Sequence, residues 1–136
     1  MEKKQIENGN GFFKSFYPET ENLYEFGKIK NGLRDDKWEF YFPSGSIFIE
    51  SNYSEGKLNG IQKTYFETEN VYAQGNLKNN KRDGEWKWYH ENGNLASTAF
   101  FEDGLKNGKQ LFYSEFGDLK KEEIYEKGKL IEEKLL

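Results

Sequence analysis

The 136-residue sequence contains no cysteine, one histidine, two prolines, one valine and three alanines. Without cysteine there is no disulfide framework, no thiolate nucleophile and no thiolate metal site. A single histidine leaves metal binding to carboxylates, and no Asp-x-Asp-x-Asp-Gly loop of the calcium type occurs. Eleven Leu, seven Ile, one Val and three Ala are too little small apolar filler for an ordinary two-layer core. No run approaches the 18 or so apolar residues of a membrane span. The opening lysines are followed by no apolar stretch of the secretory kind, so a cytoplasmic location is expected. Basic residues are outnumbered 20 to 24, for a net charge of −4. That balance disfavours nucleic acid and anionic membrane surfaces as partners, because both select a surplus of Lys and Arg.

What the chain has instead is aromatic: 12 Phe, 9 Tyr and 3 Trp. The tyrosines explain why, since Tyr17, Tyr41, Tyr65, Tyr89 and Tyr113 recur every 24 residues. Six positions after each stand Leu23, Ile47, Val71, Leu95 and Leu119, and twelve after stand Ile29, Tyr53, Leu77, Phe101 and Tyr125. Glycine keeps the same beat in one column at Gly45, Gly93 and Gly117 and in another at Gly32, Gly56, Gly104 and Gly128. A third column is Gly60, Gly84 and Gly108, where repeat two carries Asp36. Repeats one and three carry Glu21 and Glu69 in place of the first column's glycine.

Each repeat reads as a β-hairpin. Aromatic residues suit a pleated, half-buried surface, and His90-Glu91-Asn92-Gly93-Asn94 carries the Asn-Gly signal of a tight reversal. Pro18 and Pro43 fall at such tips, where a missing N–H costs nothing. The expected fold is all-β: an elongated, single-layer antiparallel meander of about five 24-residue hairpin repeats, with ten or so strands. Its expected limits are a flexible leader at 1–10, a repeat domain at 11–131 and a C-terminal cap at 132–136. The repeats fall roughly at 12–35, 36–59, 60–83, 84–107 and 108–131. Across a hairpin, Tyr89 should face Leu95, with Phe101 on the same side and Trp86 and Trp88 on the other. Aromatics stacked along both faces, each burying roughly 150 to 250 Å² against its neighbours, would replace a second layer.

The run from Gly84 through Trp86, Trp88, Tyr89, Asn92, Gly93 and Leu95, continued by Phe101, Gly104 and Gly108, resembles the bacterial variant of the MORN repeat. The resemblance spans about residues 11 to 131. It implies a twisted single sheet acting as a non-enzymatic protein–protein interaction scaffold with no cofactor. Bacterial chains of this type are often labelled antitoxin or immunity components, which implies a toxin as partner. The same run is also similar to cell-wall choline- and glucan-binding repeats, so a carbohydrate or cell-wall ligand on the aromatic face is the alternative. The longer period and the missing secretory stretch weigh against it.

No catalytic, cofactor-binding or metal-binding residues stand out. His90 has no orienting partner or nucleophile in its pattern and reads as a solvated turn residue. Arg34 and Arg82, at the same repeat position beside Asp35 and Asp83, read as turn-capping Arg–Asp pairs. Glu122-Glu123 and Glu132-Glu133 read as charges protecting a sheet edge. Trp38, Phe40, Trp86 and Trp88 are the candidate partner-binding residues, since they would form an apolar stripe on an uncovered face and Trp is enriched at binding hot spots. Unpaired edge strands at either end would also serve a homodimer.

Overall fold

The computed structural model describes residues 2–136, with side chains from Ile6 onward. The chain forms one open sheet in which every neighbouring pair of strands is antiparallel. In chain order the strands are β1 (Glu2–Glu7), β2 (Asn10–Phe16), β3 (Leu23–Lys30), β4 (Leu33–Tyr41), β5 (Ile47–Ser54), β6 (Lys57–Leu58) and β7 (Gly60–Tyr65). They continue with β8 (Val71–Lys78), β9 (Lys81–Tyr89), β10 (Leu95–Glu102), β11 (Leu105–Lys106), β12 (Gly108–Tyr113), β13 (Leu119–Glu126) and β14 (Lys129–Leu135). The two-residue strands β6 and β11 pair only with β5 and β10, and the other twelve run side by side in sequence order. The all-β single-sheet meander expected from the repeats is therefore the fold. Two stretches differ from expectation: residues 2–7, read as a leader, form β1 on the edge of β2, and most of 132–136, read as a cap, continues β14.

Each repeat hairpin carries one register shift just below its tip. In β9–β10, Tyr89 faces Leu95 as expected, but the next pair is Trp88 with Ser97, so Ala96 is an extra residue. An inserted residue reverses the side on which every later side chain emerges. Trp88, Trp86 and Gly84 therefore face Ser97, Ala99 and Phe101. Phe101 lies against Trp88 on the tryptophan side, not with Tyr89.

The tips close in one way in most repeats: Phe42 N–H donates to Ser46 O at 2.8 Å, Phe66 to Asn70 at 2.8 Å and His90 to Asn94 at 2.8 Å. Gly45 and Gly93 take left-handed φ values of 97° and 93°, and Glu69 takes 77° in the same place. Repeat one differs. Its tip runs from Tyr17 N–H to Asn22 O at 2.9 Å, one residue longer, and Phe16 takes the strand-end place opposite Leu23. Tyr17, expected in the column of Tyr41 and Tyr65, thus stands structurally with Phe42, Phe66 and His90, because the longer Pro18–Asn22 loop absorbs the difference.

Asparagines tie successive tips together: Asn70 Nδ2 donates to Glu91 O at 2.8 Å and Asn94 Nδ2 to Glu115 O at 2.7 Å. At the opposite rim the junction turns are tied by backbone bonds, from Gly56 N–H to Arg34 O at 3.0 Å and from Gly104 N–H to Arg82 O at 3.2 Å. Each repeat is thereby fixed to the next at both ends of its strands as well as along the ladder.

The core lies on one face. Trp38 and Trp86 are 1% and 2% exposed, joined by Ala73, Leu77, Ala99 and Phe101. Each indole lies flat over a glycine on the strand before it: a Cβ at Gly27 would sit 2.0 Å from Trp38 Cδ2, and one at Gly75 2.2 Å from Trp86 Cδ2. The indole N–H then reaches the neighbouring backbone, Trp38 Nε1 donating to Lys28 O at 2.9 Å and Trp86 Nε1 to Asn76 O at 2.8 Å. In both cases the indole fits because the preceding strand offers no side chain at that position. The other face is more polar: the Tyr41 hydroxyl bonds Glu39, Tyr65 bonds Glu50, and Gln74 Nε2 bonds the Tyr89 hydroxyl at 2.7 Å, while Phe12 and Phe26 stack there with centroids 5.7 Å apart. The longer aromatic ladder is thus built on one side, and on the other a tyrosine–carboxylate–amide lattice accompanies the stacked Phe12–Phe26 pair, so the expected stacking on both faces holds only in part.

Candidate functional site on the tryptophan face

The tryptophans recur at a double period, Trp38 and Trp86 being 48 residues apart with Gln62 and Gln110 between and after them. The glutamines fill the same column by bonding: Gln62 Nε2 donates to Ser51 Oγ at 2.9 Å and Gln110 Nε2 to Ser97 Oγ at 3.2 Å. An arginine precedes both Trp38 and Trp86 by four residues, and its guanidinium covers the aromatic cluster. Arg34 Cζ stands 4.2 Å from the Trp38 ring centroid, 5.5 Å from Phe40 and 5.6 Å from Tyr53. Arg82 Cζ stands 4.8 Å from Trp86, 5.5 Å from Trp88 and 5.4 Å from Phe101. Such stacking adds about 0.5 to 1 kcal/mol for an exposed guanidinium and about 2 kcal/mol for one shielded from water. These arginines do not form the expected turn-capping pairs with Asp35 and Asp83, because the register aims them across the sheet onto the rings.

The four candidate partner-binding residues divide. Trp38 and Trp86 are core, enclosed between a glycine and a guanidinium, so the expected exposed stripe is reduced by half. Phe40 and Trp88 are half-buried. Phe40 touches Trp38 and, edge-on, Tyr24, with centroids 6.4 and 6.2 Å apart. Trp88 packs on Trp86 and Phe101, both at 6.3 Å. Beside Trp88 the face opens into a groove of about 480 Å³, lined by Tyr72, Arg82, Trp88, His90, Lys106 and Phe112 among others. His90, expected to be solvated, is half-buried there, with its Nε2 2.9 Å from Tyr113 O.

Charge separates the two ends of this face. Arg34 Nη2 is bonded at 2.8 Å to the Glu25 carboxylate, which is largely buried and also accepts from Ser15 Oγ at 2.8 Å. Arg82 makes no ion pair and no side-chain hydrogen bond among the described residues. Ala73 stands where Glu25 would. None of Glu25, Arg34, Arg82, Gly27 and Gly75 emerged as site residues from the sequence. The signal that could have found them is the 48-residue recurrence of Arg-x-x-x-Trp with a glycine eleven positions before the tryptophan.

Among the described residues no group of His, Asp and Glu could hold a metal ion, and no helix is long and apolar enough to cross a membrane. The architecture is that of a hairpin-repeat protein with a packed aromatic face. Residues 37–55, 58–79, 82–103 and 106–127 match the MORN repeat variant, and the chain belongs to that family, whose repeats are non-catalytic modules for binding proteins or ligands. The expected first repeat, 12–35, lies outside the matched residues, although β2 and β3 give it the same hairpin form. No curated protein matches the chain.

Proposed function

We propose that the chain is a non-enzymatic scaffold that holds another protein against its tryptophan face, as an antitoxin- or immunity-type component holds a toxin. The observation that carries this reading is the open groove beside Trp88, which combines aromatic rings with an exposed guanidinium on a rigid sheet. Aromatic and arginine side chains are the types that dominate protein-binding hot spots. Neutralisation by such a surface is steric and needs no catalytic group. The antitoxin assignment rests on the family resemblance alone.

The test is affinity capture from native lysate with the wild-type chain, Trp88→Ala and Phe40→Ala, each first checked for its folded spectrum. One protein enriched by the wild type and lost on Trp88→Ala is the expected result. Retention unchanged by both substitutions would overturn the reading. A Trp88-dependent fluorescence shift with choline or glucan oligosaccharides, without any captured protein, would replace the protein partner with a cell-wall ligand.

A further inference from the structure

The first and second Arg–Trp units share their glycine, arginine and tryptophan in register and carry related residues around them, but one group is present in the first alone. Ser15, Gly27, Arg34, Trp38, Phe40 and Tyr53 in the first unit correspond by strand register to Thr64, Gly75, Arg82, Trp86, Trp88 and Phe101 in the second. In the first, a carboxylate is seated among them: Glu25, opposite Ser15 in the ladder, accepts from the Ser15 hydroxyl and from the Arg34 guanidinium, both at 2.8 Å. In the second, Ala73 lies opposite Thr64, and neither the Thr64 hydroxyl nor the Arg82 guanidinium has a side-chain hydrogen-bond partner among the described residues. Arg82 is exposed where Arg34 is half-buried.

We infer that the second unit is a receptor for a carboxylate supplied from outside, the side chain of a Glu or Asp in an acidic segment of a partner protein, and that Glu25 in the first unit is its internal counterpart. This rests on the reading of the tryptophan face as a protein-docking surface, and it names the chemistry of the residue that anchors there. Arginine presents paired N–H donors to a carboxylate, and the rings beneath restrict its motion and exclude water, which strengthens a charge-assisted bond. Lys106, on the groove wall, adds positive charge on the approach. Trp88 offers a larger ring than Phe40, so the residue beside the acid can pack against it.

The closing experiment needs no identified partner. With guanidinium and Nε resonances of the isotope-labelled full chain assigned, N-acetyl-glutamic acid α-amide is titrated in, with N-acetyl-glutamine amide and inorganic phosphate as parallel arms. The expected result is a saturable shift at Arg82 and none at Arg34, with the glutamine compound inert and phosphate at least tenfold weaker. Ala73→Glu should abolish the Arg82 response by supplying the acid internally, and Glu25→Ala should make Arg34 respond as a second site. No saturable shift at Arg82, equal shifts with glutamine or phosphate, or an undiminished response in Ala73→Glu would each overturn the inference. Should Ala73→Glu fail to fold, Arg82→Gln replaces it, read at the indole N–H resonance of Trp88 beneath residue 82, and a saturable shift there that survives the substitution has the same meaning. Because the readout is a side-chain resonance, its failure is distinct from failure of the protein-docking reading, which is decided by Trp88-dependent capture.

Discussion

The Trp38 unit and the Trp86 unit are two copies of one design, completed in different ways. Around Trp38 the chain satisfies its own arginine with a largely buried carboxylate. Around Trp86 it leaves the arginine to the rings and the solvent. The difference separates what the repeat needs in order to stand from what it leaves over. Both units keep the glycine, the flat indole and the indole N–H bond to the backbone, so these are the structural minimum. The ion pair is present once only, so the fold does not require it.

Removing what the units share should cost most. Trp38→Ala and Trp86→Ala each delete a nearly fully buried indole and should lower stability by about 3 to 5 kcal/mol, read by chemical denaturation. Equal losses would confirm that the units are equivalent as structure; a much smaller loss at Trp86 would break the comparison. Gly75→Ala should follow, at about 1 to 3 kcal/mol of overpacking, since the added methyl meets indole carbons.

Removing what the units do not share should split them. Arg34→Gln strands the Glu25 carboxylate and should cost about 2 kcal/mol, a typical loss for a hydrogen bond to a charged group. Arg82→Gln loses ring stacking only and should cost under about 1 kcal/mol. Similar values for the two would mean that Arg82 already has a structural role equal to that of Arg34.

The polar face repeats the asymmetry. Tyr65 bonds the Glu50 carboxylate, whereas Tyr89, 24 residues on, bonds the Gln74 amide. Glu50 is held below the usual carboxylate range, first by the Tyr65 hydroxyl, against the opposing effect of burial, and then by Lys37 at 3.2 Å. Burial, then the Glu50 bond, pushes the Tyr65 phenol up to about 12. A depressed carboxyl contributes stability that is present above its unfolded value of about 4.3 and lost as pH falls through the folded value. A raised phenol contributes stability that is present below about 10 and lost as pH rises through the folded value. Glu50→Gln should therefore flatten the acid limb of the melting temperature between pH 5 and 3, while Gln74→Ala leaves that limb unchanged.

The smallest effect expected is a gain. Glu69 holds the left-handed tip conformation that Gly45 and Gly93 hold in the neighbouring repeats. Glu69→Gly should stabilise by about 1 kcal/mol, the cost of that conformation for a residue with a Cβ, measured by thermal melting. Glu21→Gly should not, because in the longer first tip the left-handed residue is Glu19.

The residue order by itself determined the strand-and-tip alternation, the pairing of Tyr89 with Leu95, the single sheet and the placing of tyrosines and tryptophans on opposite sides. These follow from local signals, since turn glycines and a two-residue alternation act over a few positions and recur five times. The side occupied by Phe101 was not legible, because one extra residue at Ala96 reverses the alternation and nothing in its identity announces a bulge. Nor was the place of Tyr17, whose even spacing with Tyr41 hides a tip one residue longer. Only the tertiary structure buried Trp38 and Trp86 and set Arg34 and Arg82 over them. Burial depends on the gap left by Gly27 and Gly75 on an adjacent strand, and the state of each arginine on whether residue 25 or 73 brings a carboxylate within reach. Both are contacts between strands: the recurring Arg-x-x-x-Trp and glycine spacing marks the residues, but not which of them meet.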